Sequence, residues 1–74
     1  MDFADRILDL RKSRGLTQKQ LAVDAGLSEI GIQSYEGRRR KPAHDAIMSL
    51  ADFFNVSTDY LLGRTDNPNV MKGA

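Results

Sequence analysis

Seventy-four residues with no cysteine and a single histidine, His44, leave room for one small domain that neither disulfides nor a metal cage can brace. Stability must then come from close helix packing or from pairing with a second copy. The net charge of +1 hides an asymmetry: residues 11–41 carry eight basic against three acidic side chains, while residues 1–10 and 42–74 are each −2. A basic middle between acidic flanks is what a phosphate-binding face would produce. No apolar run approaches the roughly 20 residues of a membrane span. The opening "MDFADRILDL" has acids where an export signal needs bases, so a cytoplasmic chain with no membrane partner is expected.

In chain order, the first expected helix covers about 2–14 and carries Phe3, Ile7 and Leu10 at helical spacing. Three later helix starts share one pattern, an apolar residue, then Ser or Thr, then an apolar residue in the next turn. They are Leu16-Thr17…Leu21, Leu27-Ser28…Ile32 and Val56-Ser57…Leu61. Each hydroxyl can accept from the first free N–H groups, and the apolar pair fixes the entry angle. Thr17 with Gln20 makes a capping box, and Asp59 complements the dipole of the last helix. Gly15, Gly26, Asn55 and Gly63 stand where a left-handed residue would end a helix. The expected helices are 17–25, 28–36, 43–54 (with Ile47, Leu50, Ala51 and Phe54 inward) and 57–62. The fold class is all-α, a five-helix bundle over residues 1–66, and residues 67–74 are read as a flexible tail or the start of a linker.

The segment 28–36 raises a difficulty, since Ile30 and Ile32 alternate as in a strand and Gly31 lies between them. Advancing about 100° per residue from an inward Ile32 brings Tyr35 and Glu36 to the same side and turns Ile30 and Ser34 outward, with Gln33 at the edge. Helix 17–25 then turns at Gly26, and Leu27, Ile32 and Tyr35 pin the next helix to the core. This is a helix-turn-helix pattern, whose second helix is presented to the major groove.

The stretches "RKSRGLTQKQLAVDAGLSEIGIQSYEGRRRKP" and "LADFFNVSTDYLLGRTD" resemble the Xre/Cro-type helix-turn-helix regulators, the phage-repressor-like family, over about residues 6–66. The resemblance implies a five-helix DNA-binding domain of a prokaryotic or phage-encoded regulator. Such domains usually act as homodimers on a near-palindromic operator in double-stranded DNA. It also pairs Arg11 of the first helix with Glu36, an ion pair that would orient the reading helix. The family usually has a glycine two residues after this glutamate; here Gly37 follows Glu36 directly and Arg38 takes that position.

The resemblance places base contacts on Glu29, Ile30 and Ser34. Ile30 fits a thymine methyl, though a stray surface isoleucine or a protein contact would look the same in sequence. Glu29 suits cytosine N4 or simply the helix dipole, and Gln33 an adenine, a phosphate or solvent. Gly31, Ser34 and Gly37 form a line of small residues that would let the backbone approach DNA, or Gly31 is merely tolerated. Phosphate contacts are expected from Thr17 and Gln18 at the amino end of helix 17–25, and from Arg38, Arg39, Arg40 and Lys41 after the reading helix. His44-Asp45 has no nucleophile or metal partner and reads as a first-turn pair, so neither catalysis nor cofactor, metal or small-molecule ligand is expected. The alternative function is a protein-interaction module of the antitoxin or regulator-binding kind.

Overall fold

The computed structural model describes residues 1–70; the last four positions of the expected tail lie outside the described residues. It contains α1 (Phe3–Ser13), α2 (Gln18–Ala25), α3 (Glu29–Glu36), α4 (His44–Phe54) and α5 (Thr58–Leu61), and no strand among the described residues. The expected starts are present. Thr17 Oγ1 accepts from the Gln20 N–H at 3.0 Å while Gln20 Oε1 accepts from the Thr17 N–H at 2.9 Å; Ser28 and Ser57 cap α3 and α5 through their hydroxyls alone, which accept from the Gly31 and Tyr60 N–H groups. α1 is capped by Asp2, whose Oδ1 accepts the Asp5 N–H at 2.9 Å. α4 has Ala43 at its cap position and no side-chain cap; His44 is its first residue.

Each helix sends one fully buried aliphatic side chain into a common core: Ile7, Leu21, Ile32, Leu50 and Leu61. Phe3 meets Tyr35 edge to face at 5.6 Å, tying the start of α1 to the end of α3, and Phe54 closes the α4 side. Leu10 and Ile47, expected inward, are half-buried at the margin of this core.

Two arginines of the first helical unit serve the fold. Arg6 is buried, with its guanidinium 3.8 Å from the Tyr60 ring centroid and Nη2 3.6 Å from Asp66 Oδ1, joining α1 to α5 and to the chain beyond it. Arg14 donates to the carbonyls of Phe53 (3.3 Å) and Phe54 (2.9 Å), satisfying the C-terminal end of α4. Beyond α5, the Ser57 N–H donates to the Pro68 carbonyl at 3.0 Å, so the chain returns to the start of α5.

Gly15, Gly26, Asn55 and Gly63 all adopt the expected left-handed conformation. At Gly63 a second constraint is added. Its φ is +78°, and a Cβ there would collide with the Met1 carbonyl and lie 3.3 Å from Asp2 Cα. The end of α5 therefore lies directly against the start of the chain. Gly63→Ala is expected to destabilise the domain by more than about 1 kcal/mol, read as a lower midpoint in urea unfolding with an unchanged slope.

Candidate nucleic-acid interface

Leu21 and Ala22 are buried, so α2 lies close against its neighbours, and Gly26 turns the chain with a φ of +72°. The Leu27 N–H then donates back to the Ala22 carbonyl at 2.8 Å, which directs α3 away from α2. Ile32 and Tyr35 fix the inner face of α3, with Ile32 wholly buried and Tyr35 6% exposed. The opposite face is open: Glu29 is exposed, Ile30 is 70% exposed, and Gln33 and Ser34 are half-buried. The strand-like alternation of "EIGIQ" is thus one helix with an isoleucine on each side.

Gly31 departs from the expected line of small residues. It is buried, and a Cβ there would meet the Ser28 hydroxyl at 2.9 Å, the same oxygen that accepts the Gly31 N–H at 3.0 Å. The space beside this glycine is filled by the cap of its own helix, and only Ser34 and Gly37 of the line reach solvent.

The expected Arg11–Glu36 pair is present and carries more than two partners. Arg11 Nε donates to Glu36 Oε2 at 2.7 Å and Nη2 to Oε1 at 3.0 Å, while Nη1 donates to the Leu16 carbonyl at 2.9 Å. Gln18 Nε2 adds a third bond to Glu36, reaching Oε1 at 3.0 Å. One carboxylate at the end of α3 is therefore held by α1 and α2 together. The guanidinium stays protonated beyond its already high tendency because Glu36 accepts its hydrogen bonds.

The residues expected at phosphates have divided roles. Thr17 is exposed but its hydroxyl caps α2, and the amide of Gln18 is oriented by Glu36. Arg39, Arg40 and Lys41 are exposed and line a surface recess of about 380 Å³ whose walls include Phe3 and Tyr35. Arg38 lines the same recess but is paired there with acids of the chain's own amino end. Its Nε and Nη2 donate to the two Asp2 oxygens, each at 3.0 Å, and Nη2 also to Asp5 Oδ1 at 2.8 Å.

This cluster holds the Asp2 carboxyl below its ordinary value of 3.8, first because it accepts the Asp5 N–H and then because of the Arg38 guanidinium. A carboxyl lowered on folding contributes stability that is present above that ordinary value and is lost as the pH falls through the depressed one. Its bonds are therefore intact at neutral pH.

No local pattern signals the pairing of Arg38 with the start of α1, nor the exposure of Val23, which is 71% exposed on α2. The eight bases of the middle segment also overstate the charge available to a ligand. Arg11, Arg14 and Arg38 are engaged internally, leaving Lys12, Lys19, Arg39, Arg40 and Lys41 exposed.

The family model described as Helix-turn-helix matches residues 7–61, the span from the buried isoleucine of α1 to the buried leucine of α5. The chain belongs to the Xre/Cro-type helix-turn-helix family. It is 39% identical over 67 residues to the HTH-type transcriptional regulator YobD of Bacillus subtilis, an alignment covering 90% of this chain and 60% of that protein. It is 31% identical over 64 residues to the cryptic phage CTXphi transcriptional repressor RstR of Vibrio cholerae, covering 86% and 57% of the two chains. Among solved structures it superposes on the P22 c2 repressor in complex with synthetic operator 9T. There the TM-score is 0.77 at 27% identity, with 84% of this chain and 94% of that one covered. The chain spans between half and three-fifths of the length of three curated relatives it matches. No helix among the described residues is long and apolar enough to cross a membrane.

Proposed function

We propose that this helix-turn-helix chain is the DNA-binding part of a transcriptional repressor. In this reading it acts as a homodimer on a near-palindromic operator in the bacterial cytoplasm. α3 enters the major groove, with Glu29, Ile30, Gln33 and Ser34 toward the bases; Ile30 meets a thymine methyl and Glu29 accepts from a cytosine amino group. Thr17, Gln18, Arg39, Arg40 and Lys41 hold the flanking phosphates and fix the register. Residues 1–66 form the binding domain, and residues 67–74 are a tail or the start of a linker. The carrying observation is the division of α3: Ile32, Tyr35 and Glu36 are anchored inward while Ile30 stands 70% exposed among polar neighbours. The superposition on a repressor bound to its operator, and the likeness to a phage repressor, support the same reading.

Selection of duplexes from a random pool tests it. Enrichment of a two-fold symmetric sequence is expected, with binding that weakens with salt by about 0.9 log units per log unit for each phosphate contacted. Absence of binding to any duplex at about 50 mM salt would overturn it. One observation favours a protein-interaction role instead: Val23 is a second large apolar side chain exposed on the helix-turn-helix unit. Capture of a protein partner without duplex binding would establish that reading.

A further inference from the structure

The glycine after α3 stands one residue away from the place that needs one. The Arg39 N–H donates to the Ser34 carbonyl at 2.9 Å and the Arg38 N–H to the Tyr35 carbonyl at 3.2 Å, the pair of bonds that closes a Schellman motif. In that motif the left-handed position belongs to Arg38, with a φ of +58°, while Gly37 has an ordinary φ of −84°. A residue with a Cβ is disfavoured there and is held only when its surroundings over-determine it. Here they do so through three hydrogen bonds to two carboxylates at the amino end of α1. The exposed Arg39, Arg40 and Lys41 follow this fastened residue directly and line the recess beside it.

We propose that Arg38 is a positioning residue: its clamp on Asp2 and Asp5 holds the left-handed turn after α3 and so aims Arg39, Arg40 and Lys41 at the DNA backbone, without itself touching a phosphate. The proposal rests on the DNA-binding reading above for its consequence, but the clamp has a readout of its own. Two acids beside a DNA-binding face are unfavourable by charge alone; here both bond Arg38, and Asp2 also caps α1. Had they only masked a phosphate-binding arginine, neutralising them would strengthen binding and steepen the salt dependence by about one unit.

The test uses Asp2→Asn/Asp5→Asn, Arg38→Ala and Arg38→Gly in the full chain, with circular dichroism as a folding control; asparagine caps a helix as well as aspartate. The probe is the duplex enriched from the random pool, titrated at several salt concentrations. Asp2→Asn/Asp5→Asn and Arg38→Ala are each expected to weaken binding roughly fivefold through misdirected phosphate contacts. Arg38→Gly, which enters the left-handed region freely, is expected to restore affinity to within about twofold with the wild-type salt slope. Equal weakening by Arg38→Ala and Arg38→Gly, with a slope reduced by about 0.9, would make Arg38 a phosphate contact and overturn the proposal. Tighter or unchanged binding by the Asp variant would also overturn it.

Amide hydrogen exchange decides the matter without DNA. Faster exchange at Arg38 and Arg39 in the Asp variant supports the clamp, and unchanged exchange refutes it. If the wild-type chain binds no duplex while these amides respond, the DNA reading fails and the clamp stands.

Discussion

Replacing Ile32 by alanine is expected to cost about 2–5 kcal/mol of stability, whereas replacing Ile30, two residues earlier, is expected to leave stability within about 0.5 kcal/mol. Ile32 has no exposed surface and contacts the core shared by all five helices. Truncating such a side chain costs about 2–5 kcal/mol, because the lost transfer energy is joined by the cavity left behind. A domain of this length holds on the order of 4–10 kcal/mol in total, so one substitution takes a large share of it. Ile30 is 70% exposed, and its truncation removes nothing from the core. Its loss is expected in operator affinity instead. Three fewer buried carbons at a thymine methyl correspond to about 1–2 kcal/mol, or roughly a five- to thirtyfold rise in Kd. Thermal unfolding and titration of the selected duplex, run on both variants, separate the two roles. If Ile30→Ala left affinity unchanged, the isoleucine would be surface filling and the base contacts would have to lie elsewhere on α3.

Arg11→Met is expected to be the second most damaging change, for a different reason. It leaves the Glu36 carboxylate, only 7% exposed, with Gln18 as its remaining partner. Breaking one side of a buried pair costs about 3–5 kcal/mol; with 14% of the Arg11 side chain open to solvent, we expect about 2–3 kcal/mol. For a domain this small that lowers the melting temperature by roughly 10–20 °C. The Leu16 carbonyl loses its donor as well, so the entry to α2 loosens. Glu36→Gln keeps the shape and removes the charge, and should be milder than Arg11→Met. A melting temperature for Arg11→Met within a degree or two of wild type would mean that solvent replaces the arginine without cost.

Much of the helical framework was legible from the sequence because the signals are local. Thr17, Ser28 and Ser57 declare their helices by a hydroxyl one residue before the first turn, and Gly15, Gly26, Asn55 and Gly63 end them within the same few residues. The inward and outward faces of α3 followed from helical periodicity once Ile32 was placed. The long basic side chains were less legible. Arg14 reaches carbonyls 39 and 40 residues away, and Arg38 reaches acids 36 and 33 residues back. Arg6 binds Tyr60 and Asp66 across the whole chain. No local pattern specifies such partners; they depend on where the helices come to rest. Gly31 stayed open between close approach and mere tolerance for a related reason. A small residue in sequence suggests room for a visitor, yet the room was taken by the Ser28 hydroxyl next to it.

The three bonds converging on Glu36 bear on how the domain could meet an imperfect site. A tilt of α3 would have to drag α1 through Arg11 and α2 through Gln18, so its movement is coupled to theirs. Adjustment to a variant operator would then fall on the duplex, through bending, twist or groove width, and the elastic cost of deforming that DNA would become part of the sequence preference.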